Sequence, residues 1–259
     1  MNWKAVTDYL EMSRRGADCI FEALAASARR KERFNLGLAT GNTMIDLYRR
    51  LAERLNANRT PLDRLHTYNL DEYVGADGRA VPPDHPLSYR KYMHENLFAR
   101  LDGSLGLDAD NIHFPDADDP VRFDSGLTAA GGLDVQLLGI GFNGHIAFNE
   151  PEPADFGLDT FADLPSRIID LDERTLETNA RLTANGDRSA VPRRAVTMGM
   201  KPILAAKRIL LLACFAEQEK PLRRMLADHV PTPELPASYL LRHPNATVIY
   251  TADMIGLET

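Results

Sequence analysis

The sequence predicts an α/β fold in which a mostly parallel sheet carries helices on both faces. Short apolar runs alternate with helix-period segments along most of the chain, and parallel strands so joined need right-handed crossovers that cover both faces. Glycine-containing turns follow several of the apolar runs, in ATGNT, NLDEYVG and GIGFNGHIAFNEP. In open parallel sheets the ligand sits at the carboxyl ends of the strands. Those three segments, far apart in the chain, are therefore candidates for one pocket.

Residues 8–30 read as an amphipathic helix, with Leu10, Ile20, Phe21, Leu24 and Ala25 largely on one stripe. A buried strand at Phe34 to Leu38, a tight turn and a helix from Met44 to Leu55 follow. The next strand, LHTYNL, ends at Asp71. Residues 74–87 contain three prolines and two glycines, which predicts a loop before a helix over SYRKYMHENLFARL. A short strand near Ile112 and a longer one, LDVQLLGIG, lead to Gly141. Residues 152–192 are polar and weakly periodic, and read as long loops or a mobile cover. AVTMG, RILLLACF and ATVIYT then read as strands, separated by helical stretches at Lys201 to Ala206 and Lys220 to His229, with SYLLRH a short helix. No repeat, low-complexity tract or linker interrupts the chain, so residues 1–259 are expected to form one domain.

With 37 acidic and 30 basic residues the net charge is −7, which excludes a general affinity for nucleic acid or anionic membranes. An anionic ligand must be bound locally. Cys19 and Cys214 cannot form a disulfide framework, and Cys214 lies in the apolar run ILLLACFA, as a small buried thiol would. The N-terminal MNWKAVTDYLEMSRR lacks the apolar core of a signal peptide, and no apolar stretch approaches the roughly 20 residues that span a bilayer. A cytoplasmic protein is expected.

Thr40, Gly41, Asn42 and Thr43 leave a strand and open a helix, so N–H groups, hydroxyls and the helix dipole converge as a phosphate requires. Asn42 or Thr43 would equally serve as a plain helix cap, and the segment alone does not separate the two. It lacks the Gly-Lys-Ser/Thr ending of a nucleotide loop. Asp71 and Glu72 follow a strand, where a partly desolvated carboxylate can act as a base beside a carbonyl; a loop-capping Asp next to a solvated Glu is the plain alternative. Gly139, Gly141 and Gly144 match GxGxxG, but Pro151 and Pro153 interrupt the helix that a dinucleotide site needs. What remains is a turn that brings backbone close to a ligand, then His145 and, five positions on, Glu150. A histidine held by a carboxylate shuttles protons near neutral pH. A metal site is not expected, because no Cys or second His stands at ligand spacing. Arg181 and Lys220 are basic residues that would close a phosphate site from the other side, or else plain surface charges.

Together these segments resemble the glucosamine-6-phosphate deaminase (isomerase) family. LATGNT, YNLDEYVG, HPLSYRKYMHENLF, GFNGHIAFNEP, VTMGM and PASYLLRHPNATVI occur in that family's order and spacing. The resemblance implies a single three-layer, modified Rossmann-like domain that turns D-glucosamine 6-phosphate and water into D-fructose 6-phosphate and ammonia, in amino-sugar metabolism, without a cofactor. It implies that Asp71 carries the proton between C2 and C1, and that His145 opens the sugar ring while Glu150 orients it. Thr40 to Thr43, Arg181 and Lys220 would hold the phosphate, with Glu72, Gly141 and Gly144 in the substrate site.

Two features depart from the family pattern. Asn143 stands where many members have Asp, two residues before the histidine, leaving the relay one carboxylate fewer. Some relatives with galactosamine-phosphate chemistry also have Asn there, so a galactosamine-6-phosphate deaminase is the nearest alternative. A 6-phosphogluconolactonase-like hydrolase and a non-catalytic sugar-phosphate sensor are more distant ones. The chain also ends at Thr259, soon after its last strand, without the longer tail of the allosteric hexameric members, and the stretch near Ile169 does not reproduce their basic effector site. A non-allosteric enzyme, monomeric or homo-oligomeric, is expected.

Overall fold

The computed structural model describes residues 1–257 and contains the expected alternation. In chain order the elements are β1 (Asn2–Val6), α1 (Tyr9–Arg30), β2 (Phe34–Leu38), α2 (Ile45–Ala57), β3 (Leu65–Asn69), β4 (Asp71–Val74) and α3 (Tyr89–Asn96). They continue with β5 (Ile112–His113), α4 (Pro120–Ala129), β6 (Val135–Leu138), α5 (Leu158–Ala162), β7 (Arg167–Asp170) and α6 (Glu173–Thr183). The last are β8 (Arg194–Thr197), α7 (Met200–Leu204), β9 (Ile209–Ala213), α8 (Glu219–Asp228) and β10 (Ala246–Thr251). Thr259, on which the expectation of a short C-terminus rests, lies outside the described residues. No helix among the described residues is long and apolar enough to cross a membrane.

Seven strands form one parallel sheet in the order β1-β10-β9-β6-β2-β3-β5. Its central strands are covered on both faces, which is why ILLLA of β9 is buried at every position rather than alternating. From β2 the chain builds outward through β3 and β5; from β6 it builds the other way through β9 and β10. The order therefore reverses between β2 and β6, and the loops leaving these two strands open a crevice there. ATGNT leaves β2 and GIGFNG leaves β6.

The packing follows from local chemistry. Asp8 caps α1 by accepting from the Glu11 N–H at 2.9 Å. Met12, Ala17, Ile20 and Leu24 form its buried stripe, whereas Leu10 is 56% exposed and does not share it. In α2 the buried residues Leu47, Tyr48, Leu51, Ala52 and Leu55 recur at helical spacing.

Five parts of the chain differ from the expectation. β1 extends the sheet by pairing with β10, a tertiary contact that its five-residue sequence does not announce. α4 begins at Asp119 and Pro120, a cap followed by a first-turn proline. LHTYNL does not run on to Asp71 as one strand, since Asp71 opens β4 in a second, antiparallel sheet of order β4-β8-β7. AVTMG accordingly forms β8 of this small sheet, not of the main one. Residues 152–192 are not long loops: they contain α5, β7 and α6. The polar composition of α6 hides a buried stripe of Thr175, Leu176 and Ala180.

Candidate active site

At the reversal point lies a cavity of about 490 Å³, lined by residues of all three expected segments: Thr40 to Thr43, Asp71, and Gly141 to Asn143 with His145. The fourth wall comes from α6, through Arg174, Thr175, Thr178, Asn179 and Leu182. These positions recur at helical spacing, so one face of α6 roofs the cavity.

The loop after β2 turns at Gly41, whose φ of 109° favours glycine, and runs through one 3₁₀ turn into α2. Tyrosine hydroxyls fix it: Tyr92 donates to the Gly41 carbonyl at 2.7 Å, Tyr9 to that of Asn42 at 3.1 Å, and Tyr48 to that of Ala39. A rigid loop at the start of a thirteen-residue helix suits an anion. Gln218 braces the opposite loop, donating to the Ile140 carbonyl at 2.7 Å while its own carbonyl oxygen accepts from Cys214 and Phe215 N–H.

After β6 the chain folds back on itself. Gly141 accepts the His145 ring so closely that a Cβ there would stand 2.4 Å from Nε2. His145 Nδ1 lies 3.0 Å from Glu150 Oε2; a carboxylate only accepts, so Nδ1 carries the proton and Nε2 is the exchanging nitrogen. Asn143 donates to the same Oε2 at 2.7 Å, and Thr175 donates to Oε1 at 2.7 Å. Burial raises the Glu150 pKa, but the His145 charge and these donors override it and hold the group at about 2. For His145, burial disfavours the imidazolium, yet Glu150 and, beyond it, Asp71 and Asp172 outweigh this and keep the pKa above its ordinary value.

Asp71 begins β4 and is 7% exposed. Its Oδ1 accepts from the Thr197 hydroxyl at 2.5 Å and from the Phe148 N–H at 3.3 Å. Ala147, in the left-handed region at φ 51°, turns the chain just before Phe148. Burial pushes the Asp71 carboxyl up to about 7, with neighbouring Glu72 adding to the rise and Thr197, His145 and the Phe148 N–H opposing it. One carboxylate is thus held ionised and another sits at the neutral balance point, an arrangement that separates an electrostatic partner from a proton-transfer group.

The remaining expected residues fall elsewhere. Glu72 is fully buried and away from the cavity lining; it accepts from the N–H groups of Tyr73, Tyr89 and Arg90 and from the Ser88 hydroxyl. It therefore ties α3 to β4 instead of meeting a ligand. Gly144 (φ 92°) packs under Leu235. Arg181 does not line the cavity; its guanidinium lies 5.8 Å from the ring centre of Phe142, which does, and 3.1 Å from Glu217. Lys220 is exposed in the first turn of α8 and does not line the cavity.

Sequence reasoning missed Thr175 and Thr197. The signal for Thr175 was the period of Thr175, Thr178, Asn179 and Leu182 within the polar stretch. Thr197 gives no local signal, because only the β4–β8 register sets it opposite Asp71.

The family model for glucosamine-6-phosphate isomerases/6-phosphogluconolactonase matches residues 7–152. A glucosamine-6-phosphate deaminase of Geobacillus sp. (strain WCH70) is 39% identical over 256 residues, covering 96% of this chain and 93% of its own. One of Staphylococcus haemolyticus (strain JCSC1435) is 43% identical over 220 residues, covering 83% of this chain and 84% of its own. The solved structure of a monomeric glucosamine-6-phosphate deaminase superposes with a TM-score of 0.84 at 30% identity, covering 98% of both chains. The matched residues 7–152 run from the start of α1 past Glu150, taking in the β2 loop, Asp71 and the His145 turn, and this chain belongs to the glucosamine-6-phosphate isomerase/6-phosphogluconolactonase family.

Proposed function

We propose that the chain converts D-glucosamine 6-phosphate and water to D-fructose 6-phosphate and ammonia. The observation that carries this is the pairing, in one cavity beside the Thr40 to Thr43 loop, of a carboxyl balanced near neutrality at Asp71 with a histidine backed by Glu150. Ring opening and the C2-to-C1 proton shift call on two proton carriers, and the cavity holds both.

The cyclic sugar must first open, losing a proton from the C1 hydroxyl and gaining one at the ring oxygen. His145 Nε2 accepts the first and returns the second, while Glu150 stabilises the imidazolium in between. Asp71 then removes the C2 proton and delivers it to C1, while O1 gains a proton and the C2 amine loses one, so the C1 aldehyde becomes a hydroxymethyl group and C2 an imine. Water adds to that imine, and ammonia leaves with the ketose formed. Each transfer by a placed group contributes roughly 10²- to 10⁴-fold. The β2 loop and the α2 dipole receive the phosphate, and Arg181, beside Phe142 of the cavity wall, adds positive charge when it turns from Glu217.

The test is release of ammonia and ketose phosphate from glucosamine 6-phosphate, run beside galactosamine 6-phosphate. Preference for the gluco substrate is expected. Inertness toward both, with hydrolysis of a phosphogluconolactone, overturns the proposal.

A further inference from the structure

We infer that Thr197 is a positioning residue for Asp71: its hydroxyl fixes carboxylate oxygen Oδ1, so that Oδ2 is the oxygen that exchanges the proton. This rests on the role given to Asp71 in the proposed function.

The antiparallel register of β4 and β8 sets Asp71 opposite Thr197, with both side chains on one face. Thr197 is fully buried and its Oγ1 lies 2.5 Å from Oδ1. The Phe148 N–H completes a three-centre cluster, reaching Thr197 Oγ1 at 3.0 Å and Oδ1 at 3.3 Å. Among the described residues, every hydrogen bond to the Asp71 carboxylate ends on Oδ1. Asp71 lines the cavity, so Oδ2 is the atom left for a substrate.

A hydroxyl has one proton, and its direction can follow the charge of its partner. With Asp71 ionised, Thr197 donates to Oδ1. With Asp71 protonated, the same hydroxyl can turn to the Met198 carbonyl at 3.4 Å, releasing Oδ1. One side chain thus serves both states that a proton carrier must visit. Two other charged groups act on this carboxylate: Glu72 beside it on β4 and His145 from the β6 turn. Neither hydrogen-bonds to it, so neither fixes its plane.

A merely structural Thr197 would be replaced well by valine, which keeps the branched shape and the strand preference. The experiment is steady-state ammonia release from glucosamine 6-phosphate by the full chain, Thr197→Val and Thr197→Ser, across the neutral pH range. It is paired with a carbon-detected NMR titration of the Asp71 carboxyl. Valine is expected to lower kcat by about 10- to 100-fold with little change in KM, as loss of a hydrogen bond to a charged group should. It also moves the acid limb and the Asp71 titration to higher pH, and serine restores all three. A folded valine variant with the parent's kcat and titration overturns the inference, as does a serine variant that behaves like valine. A parent chain that releases no ammonia overturns the proposed function instead, while the titration still decides whether Thr197 sets the state of Asp71.

Discussion

The Asn143 amide nitrogen stands 2.7 Å from Glu150 Oε2, the same oxygen that meets His145 Nδ1 at 3.0 Å. Its amide oxygen accepts from the His145 backbone N–H at 3.2 Å. The residue that leaves the relay one carboxylate fewer therefore gives it one donor more, aimed at the charge of Glu150. An aspartate there has no proton to donate when ionised and brings a second negative charge to the same oxygen.

Asn143→Asp should thus raise the Glu150 pKa from about 2 and push the His145 pKa, already above its ordinary value, further up. Because His145 must start neutral to accept the C1 proton, the acid limb of the pH profile moves to higher pH. Imidazole proton NMR of His145 reads the shift directly, and an unmoved titration would show that the amide does not tune the relay.

Removing the carboxylate acts in the opposite direction. In Glu150→Gln, burial is no longer outweighed, so the His145 pKa falls and the ring becomes a weaker base for the C1 hydroxyl proton, its imidazolium left without a counter-charge. Turnover should drop by roughly 10²-fold or more. Stability should respond as well. Glu150 has a folded pKa of about 2 against an ordinary 4.5, so its contribution is present above 4.5 and lost as pH falls through 2. His145, with a raised folded pKa, contributes below its ordinary 6.5 and loses that contribution as pH rises through the folded value. Thermal melts of the two chains should differ most between these limits. Identical melting curves would mean that the pair is energetically idle.

How far the sequence made this site legible depended on whether a residue's role was local. β2 was readable to the residue because FNLGL is apolar and ends in a glycine turn. His145 and Glu150 were readable because one turn holds both, only five residues apart. Glu72 was misread because its partners, Ser88 to Arg90, lie beyond a loop, and nothing in DEY tells a buried carboxylate from a solvated one. The second sheet was invisible for the same reason. Val196 and Ala195 suit a strand of either sheet, and only the pairing of β8 with β4 and β7 decides between them.

The structural role of Glu72 makes its own prediction. Glu72→Gln weakens bonds to the Tyr89 and Arg90 N–H groups at the start of α3 and to that of Tyr73 in β4, and should lower stability by about 1–3 kcal/mol. It also removes a negative charge that raises the Asp71 pKa, so the acid limb should move to lower pH while KM changes little. A large rise in KM with unchanged stability would return Glu72 to the substrate site.

Asp71→Asn separates a functional carboxylate from a structural one by moving activity and stability in opposite directions. Turnover should fall by roughly 10²- to 10⁴-fold, since no group is left to carry the C2 proton. The folded pKa of about 7 stands above the ordinary 3.8, so between these values the native state holds a proton that the unfolded chain has lost. Stability therefore declines as pH rises through that window. Asparagine keeps an oxygen to accept from Thr197 and Phe148 but never ionises. Above pH 7 the variant should be the more stable chain, by at most about 4 kcal/mol for roughly three pKa units. The advantage should vanish below pH 3.8. Denaturant melts at alkaline and acid pH, beside the ammonia assay, check both halves. A carboxylate kept for the fold would give the reverse, a loss of stability on removal, because its ionised form would be the one the native state favours.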